Sequence, residues 1–148
     1  MKLNKTRNGQ AGFTLVELVV VIIVLGILAA IAVPKFMDFT TDAKDSALKG
    51  SLGGVRSAIS NFYAYSGTPA GGGTIAYPTL AELTTTGTVM AQGIPANPYS
   101  TGADPSAVIA GTTKGTPATA GTTGGWCYKA STGEFWANTA SGAGEASE

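Results

Sequence analysis

The side chains that most often carry enzyme chemistry are almost missing from this sequence of 148 residues. It contains no histidine and a single cysteine, Cys127, which excludes zinc sites built from histidine and cysteine and nucleophiles activated by a histidine base. Nine basic side chains balance nine acidic ones, and no long basic run indicates a nucleic-acid-binding surface. We therefore predict a protein that is not an enzyme, with no catalytic residue and no cofactor.

One carboxylate has an unusual setting, because Glu17 is the only charged residue in an apolar stretch that covers residues 13–33. At about 1.5 Å per residue this stretch forms a helix roughly 31 Å long, which matches the hydrocarbon core of a bilayer. Its apolar side chains leave no polar face for water, so we predict a membrane-spanning helix. A carboxylate in hydrocarbon costs about 2.5 to 3.5 kcal/mol on insertion scales, so Glu17 requires a partner or a proton, and a functional role is the first interpretation.

The residues before the apolar stretch form a short polar leader. Its charged side chains are all basic: Lys2, Lys5 and Arg7. An ordinary secretory signal has its small-residue cleavage site after the apolar region, whereas here the small residues Ala11 and Gly12 come before it. The basic flank predicts an amino terminus in the cytoplasm and a carboxyl terminus in the periplasm.

The sequence around this junction resembles the prepilins of type IV pili and the related pseudopilins. The resemblance rests on a basic leader that ends in Gly12, the run F-T-L-V-E from Phe13 to Glu17, an unbroken apolar stretch and Pro34 downstream. Residues 13–62 look most like pilins of the mannose-sensitive-haemagglutinin type. The strong part of the resemblance covers about the first third of the chain.

The resemblance implies a role for each residue at the junction. In that family a membrane peptidase removes the leader between the positions that match Gly12 and Phe13, and it then methylates the new amino group. The amine of Phe13 would pair with Glu17 of a neighbouring subunit, although the amine of the same chain could compete. Such a poorly solvated pair would specify the axial position of packed helices more than it would add stability.

A second expectation for this helix concerns Gly26 and Pro34. Glycine weakens a helix, and Pro34 removes one backbone donor and crowds the carbonyl of Ala30. We therefore predict a kink or a melted stretch between Gly26 and Pro34. In the family such a segment is associated with extensible fibres.

The resemblance implies a structural subunit, the major pilin of a homo-oligomeric helical filament on the bacterial cell surface. Its partners would be the lipid bilayer before assembly, the prepilin peptidase and methyltransferase, an inner-membrane assembly platform and motor ATPases. A pseudopilin of a type II secretion system is a close alternative. A single-pass membrane-anchored binding module that never assembles is a third, but such an anchor needs neither the leader nor Glu17.

Beyond Pro34 the apolar residues recur at steps of three and four, which predicts a continuing amphipathic helix. The apolar stripe consists of Phe36, Phe39, Ala43, Ala47, Leu48, Leu52, Val55, Ile59 and Phe62. On the polar side, Asp45 and Lys49 have the spacing of an i,i+4 ion pair. The helix therefore needs a partner for its apolar stripe.

That partner is predicted in the carboxyl-terminal part of the chain. Aromatic residues on both sides of residues 131–133, including Trp126 and Trp136, predict a β-hairpin with one buried face. Thr79 and Glu82 form a capping box at the start of a short helix that Gly87 could close. Further predictions are a strand at residues 107–110, loops at 71–73 and 112–125, and a frayed tail at 142–148.

Together these elements predict an α+β fold, in which a long amino-terminal helix packs on a small antiparallel sheet, as in the type IV pilin fold. The predicted parts are the leader at 1–12, the membrane and fibre-core half of the helix at 13–33, its amphipathic half at 34–65 and a β-rich head at 66–148.

The head departs from the family in one respect, since a single cysteine cannot form the disulfide that is common in type IV pilins. We predict that Cys127 packs as a small apolar strand residue. Some pseudopilins bind calcium near the carboxyl terminus, and Asp104 and Asn97 are the only nearby candidates here. One carboxylate is too little for calcium, so we predict no metal site.

Overall fold

The computed structural model describes residues 12–117 and 124–139, so the predicted leader up to residue 11, part of the predicted loop at 112–125 and the predicted tail lie outside the described residues. The elements in chain order are α1 Leu15–Ser66, one turn of 3₁₀ helix Pro69–Gly71, α2 Leu80–Thr84, β1 Val108–Ala110, β2 Trp126–Lys129 and β3 Glu134–Ala137. This order confirms the α+β class. The chain divides into two compact units, Met1–Thr40 and Thr41–Glu148.

The described part of the first unit is mostly helix, and nearly all of its side chains are exposed. α1 remains helical through Gly26 and Pro34, so the predicted melted stretch is not present in the structure of this single chain. Proline removes one helical hydrogen bond, whereas the turns on either side keep theirs. A transition of this segment inside a fibre stays a prediction.

The second unit has one hydrophobic core between α1 and the sheet. The helix contributes Leu48, Leu52, Val55 and Ile59, whose steps of three and four residues bring them to one face. Leu83 of α2 and five strand residues complete the core: Val108, Trp126, Tyr128, Phe135 and Ala137. The predicted packing of the hairpin on the amphipathic helix is therefore correct for this part of the stripe.

The first part of the stripe differs from the prediction. Phe36 is 69% exposed and Phe39 is 71% exposed, and Ala43 and Ala47 are exposed as well. A periodic apolar pattern identifies the face of a helix that needs a cover but does not identify what covers it. In the described residues, the hairpin core begins at Leu48.

The sheet has three strands in the order β1-β2-β3. β2 and β3 form the predicted hairpin, antiparallel with Trp126 opposite Ala137. β1 pairs parallel to β2, with Val108 beside Trp126, so the prediction of an antiparallel sheet is correct for the hairpin and wrong for β1. A parallel pair needs a crossover of about a dozen residues or more, and residues 111–125 provide that length.

The predicted capping box at α2 is confirmed. The Thr79 amide donates to Glu82 Oε2 at 2.8 Å, and the Glu82 amide donates to Thr79 Oγ1 at 3.3 Å. These bonds to Thr79 hold the pKa of Glu82 below its ordinary value. Gly87 does not close the helix, because Thr85 is the cap and its amide donates to the Ala81 carbonyl. Gly87 lies in the following turn with φ +91°.

Tyr128 gives the head a predicted sensitivity to alkaline pH. Its ring is 1% exposed, and its hydroxyl donates to the Pro78 carbonyl at 2.7 Å. Burial, with smaller contributions from Tyr77 and Glu82, raises the pKa of Tyr128 to about 12. Because an unfolded tyrosine ionises near pH 10, the head should lose roughly 2 to 3 kcal/mol from this group as pH rises from about 10 to 12.

Tyr128→Phe isolates this contribution. The variant should be less stable at neutral pH by about 1 to 3 kcal/mol, because the Pro78 carbonyl loses its donor, yet its stability should decline less steeply between about pH 10 and 12. Urea unfolding at several pH values measures both quantities. An identical decline in the two proteins would contradict the assignment.

Candidate functional site

The predicted cleavage junction lies in a non-helical segment just before α1. Gly12, Phe13 and Thr14 precede the first helical residue, Leu15. Phe13 is 88% exposed, and no other group lies within 4 Å of the place that a side chain on Gly12 would occupy. The bond between Gly12 and Phe13 is therefore accessible in the described chain.

Glu17 and Thr14 form a second capping box at the start of α1. The Thr14 amide and the Thr14 hydroxyl each donate to Glu17 Oε2 at 2.8 Å. The Glu17 amide donates back to Thr14 Oγ1 at 3.2 Å. Sequence reasoning found the Thr79 and Glu82 box but missed this one, although the same threonine-x-x-glutamate signal is present at Thr14.

The capping box gives Glu17 partners within its own chain. The carboxylate lies in the first helical turn, where the amide groups and the helix dipole favour negative charge. Both donors belong to Thr14, so cleavage between Gly12 and Phe13 would leave them in place. A carboxylate has acceptor capacity for about four hydrogen bonds, so the box leaves room for an added cation such as an amine. The capping box therefore holds the Glu17 carboxylate in a fixed position at the amino-terminal end of an apolar helix.

The helix that follows Glu17 presents apolar side chains on all sides. α1 is the one helix among the described residues that is long and apolar enough to cross a membrane, with a mean hydropathy of 3.1 in its most apolar part. Within the described part of the first unit, the leucine, isoleucine and valine side chains of α1 are exposed through Val33. Gly26 also lies open, since among the described residues no group outside its chain neighbours and the adjacent helix backbone comes within 4 Å of a side chain placed there. Such a surface requires lipid or other apolar helices as its surroundings.

Two residues considered as calcium ligands have structural hydrogen bonds instead. The Asn97 side chain donates to the Gly125 carbonyl at 2.7 Å and accepts from the Tyr99 amide at 2.9 Å. Asp104 accepts from the Ser106 amide at 3.0 Å. Across residues 12–117 and 124–139, no group of three or more histidine, cysteine, aspartate or glutamate side chains is arranged to hold a metal ion.

Two other predicted residues also serve the head. Cys127 is fully buried in β2, which confirms its packing as a small apolar residue. Asp45, predicted to pair with Lys49, accepts a short hydrogen bond from the Tyr99 hydroxyl. That bond raises the pKa of Tyr99 and fastens the loop at Tyr99 to α1.

Comparison with known proteins points to the same amino-terminal segment. Residues 7–33 match the family model of the prokaryotic N-terminal methylation motif. The chain is 43% identical over 58 residues to fimbrial protein EcpC of Eikenella corrodens, which covers 39% of this chain and 38% of that protein. It is 51% identical over 47 residues to the type IV narrow pilus major component PilA5 of Thermus thermophilus, covering 32% and 40%.

A secretion protein is similar over the same part of the chain. The identity to type II secretion system core protein G of Pseudomonas aeruginosa is 39% over 69 residues, which covers 44% of this chain and 49% of that protein. The chain thus spans between about a third and a half of the length of these relatives. No solved structure matches. These findings support the resemblance to the type IV pilin family and its pseudopilin relatives.

Proposed function

We propose that this chain is the structural subunit of a type IV pilus-like filament on the bacterial surface. The observation that carries the proposal is a carboxylate, Glu17, held at the start of an exposed apolar helix inside the segment that matches the methylation motif. The helices of many copies would form the filament core and cover the apolar side chains. The heads would form the outer surface.

In this proposal the amine of Phe13 becomes the partner of Glu17 during assembly. Removal of the leader after Gly12 creates that amine one residue before Thr14, and the Thr14 and Glu17 box presents the carboxylate in the first helical turn. The amine of one copy would join the carboxylate of the next. A subunit that is displaced along the axis would leave both charges without this partner in poorly solvated surroundings, so the pair would select one register.

The processing steps and the location belong to the same proposal. A membrane peptidase would remove the leader on the cytoplasmic side and methylate Phe13, and the subunit would wait in the inner membrane with its head in the periplasm. The basic residues of the leader support this orientation. An inner-membrane platform and motor ATPases would then move subunits into the filament.

A pseudopilin of a type II secretion system is the second candidate, and the similarity to core protein G favours it specifically. The filament of such a protein would act in the periplasm and not on the cell surface. Electron micrographs of cells with and without this chain distinguish the two functions, because only the loss of a surface pilin removes long surface filaments.

The processing proposal predicts the mass of the mature chain. Subunits from sheared filaments should begin at Phe13, carry a methylated amine and lack the three basic leader residues. Mass spectrometry of the amino-terminal peptide measures this directly. Chains that retain Met1 to Gly12 in assembled fibres, or that begin after Val33, would contradict the prepilin interpretation.

A further inference from the structure

The apolar run that follows Glu17 is too short to cross a bilayer alone. It covers residues 18–33, which make about 24 Å of helix at 1.5 Å per residue. The hydrocarbon core is about 30 Å thick. The membrane segment must therefore extend by about four residues at one end or the other.

Extension toward the amino terminus carries Glu17 into hydrocarbon. The carboxylate has a short side chain, and its capping bonds to Thr14 tie it to the first turn of the helix. It has little freedom to reach back toward water. This placement also leaves Phe36, Met37 and Phe39 outside the hydrocarbon, although each is about 70% exposed in the described chain.

Extension toward the carboxyl terminus places residues 18–37 in the bilayer, which is about 30 Å of helix. This direction adds one charge, Lys35, whose long aliphatic stem allows the ammonium group to reach the phosphate level. Phe36 and Met37 would enter hydrocarbon, and Phe39 would lie about 3 Å beyond its edge. This helix face carries an apolar groove, which is lined by Ala32, Lys35, Phe36 and Phe39. The Lys35 side chain therefore lies beside the two aromatic rings.

We infer that before assembly the bilayer surrounds residues 18–37, with Phe36 and Phe39 as an anchor at the outer lipid interface and Glu17 at the cytoplasmic interface. The lipid of the outer leaflet thus covers the exposed aromatic face formed by Phe36 and Phe39, and this lipid is continuous with the lipid around the rest of the helix. The bond between Gly12 and Phe13 then lies outside the hydrocarbon, beyond three helical residues and a non-helical segment, within reach of a peptidase. Glu17 would leave the interface only when the subunit moves outward into a filament.

This inference rests on the membrane-inserted stage of the proposed function, and tryptophan depth measurements separate the two. The subunit that begins at Phe13, without its leader, is placed in vesicles of phosphatidylethanolamine and phosphatidylglycerol that carry spin-labelled lipids. Phe39→Trp, Val16→Trp and Ile27→Trp are compared, each after subtraction of the wild-type signal from the native Trp126 and Trp136. Ile27 lies deep in the hydrocarbon under either placement, so an unquenched Ile27→Trp would contradict membrane insertion itself.

The decisive comparison is between positions 16 and 39, at the two ends of the membrane segment. With residues 18–37 in the bilayer, positions 16 and 39 both lie about 3 Å outside the hydrocarbon, so a lipid that carries its spin label at the start of the acyl chain, just inside the hydrocarbon, should quench the two variants equally within about twofold. With residues 13–33 in the bilayer, position 16 lies about 5 Å inside and position 39 about 9 Å outside. Several-fold stronger quenching at position 16 would then overturn the inference.

A substitution of the anchor provides a second test. Adding Phe36→Ser and Phe39→Ser to the Val16→Trp chain should shift the helix outward, which draws position 16 into the hydrocarbon and increases its quenching, whereas the matched Phe36→Leu and Phe39→Leu pair should not. Unchanged quenching in the serine variant would also overturn the inference. If Phe39→Trp is quenched by no lipid while Ile27→Trp is quenched, the aromatic face belongs to another occupant, such as a second copy, and lipid anchoring is excluded.

Discussion

Trp126→Ala should lower the free energy of unfolding of the second compact unit, residues 41–148, by about 3 to 5 kcal/mol. The Trp126 side chain is fully buried, and its ring stacks on Phe135 with 5.2 Å between the ring centroids. Its indole nitrogen donates to the Pro95 carbonyl at 2.7 Å. The substitution therefore leaves a cavity in the core and removes the donor from a carbonyl group.

Trp136→Ala should cost a similar amount for a related reason. Trp136 is also fully buried, and its indole nitrogen donates to the Thr116 carbonyl at 3.0 Å. Its ring occupies the space above Gly111, where any added side chain would meet it. The two tryptophans therefore attach separate loops, at Pro95 and at Thr116, to the same hairpin.

Urea unfolding of the 41–148 fragment, followed by circular dichroism, measures both changes. Ile75→Ala is the matched apolar control, because Ile75 is 62% exposed and its truncation should cost less than about 1 kcal/mol. If Trp126→Ala unfolds at the same urea concentration as the control, the hairpin does not pack on α1 as described. The same result for Trp136→Ala would mean that the segment at Gly111 and Thr116 does not cover the opposite face of the hairpin.

The features that were predictable from the sequence are local. The hairpin depends on apolar residues on both sides of a turn, and Gly133 at φ +71° supplies the left-handed residue that this turn uses. The α2 capping box depends on two residues three positions apart, Thr79 and Glu82. In both cases, the interacting groups lie within a few residues of each other.

The features that were missed depend on distant parts of the chain. β1 lies parallel to β2, and nothing in the few residues of Val108–Ala110 specifies the direction of a strand that follows a long crossover. Asp45 bonds to Tyr99, which is far along the chain, whereas the i,i+4 rule considers only neighbours such as Lys49. The periodicity of the sequence identifies which side chains need a partner, whereas contacts between distant parts of the chain determine which residue that partner is.

The Thr14 and Glu17 box is a different case, because its signal is local and was still missed. The apolar stretch at 13–33 predicts a membrane segment, and the resemblance to prepilins assigns its carboxylate to an amine of a neighbouring subunit or of the same chain. That interpretation left the hydroxyl of Thr14 without a role. The same threonine-x-x-glutamate pattern at Thr79 stands at the start of a short helix between loops, where a cap is expected.

Glu17→Leu should abolish filament assembly while leaving the subunit in the membrane. Removal of a carboxylate from an apolar helix leaves insertion unchanged or improves it. In the filament, the amine of Phe13 would be buried without its counter-charge. Breaking a buried pair in this way costs about 3 to 5 kcal/mol, which corresponds to more than about a hundredfold weaker association.

The experiment compares the membrane pool, the cleaved fraction and the sheared filaments from the same cells, with no wild-type subunit present. A processed Glu17→Leu chain should be abundant in the membrane and absent from the sheared fraction. A depleted membrane pool would instead indicate a folding defect. Normal filament yield from the processed variant would remove the main physical argument for a fibre subunit.

Glu17→Leu removes both a charge and the carboxylate half of the capping box, and two further variants separate these effects. Glutamine also serves in a capping box, so Glu17→Gln keeps the bonds to Thr14 and loses only the charge. Thr14→Ala keeps the charge and the bond from the backbone amide of residue 14, and it removes the two bonds that use the threonine hydroxyl. If the ion pair with Phe13 determines the register, Glu17→Gln should fail to assemble as completely as Glu17→Leu, whereas Thr14→Ala should retain most of its filaments. The opposite order would mean that Glu17 acts by shaping the first turn of its own helix and not by pairing with the next subunit.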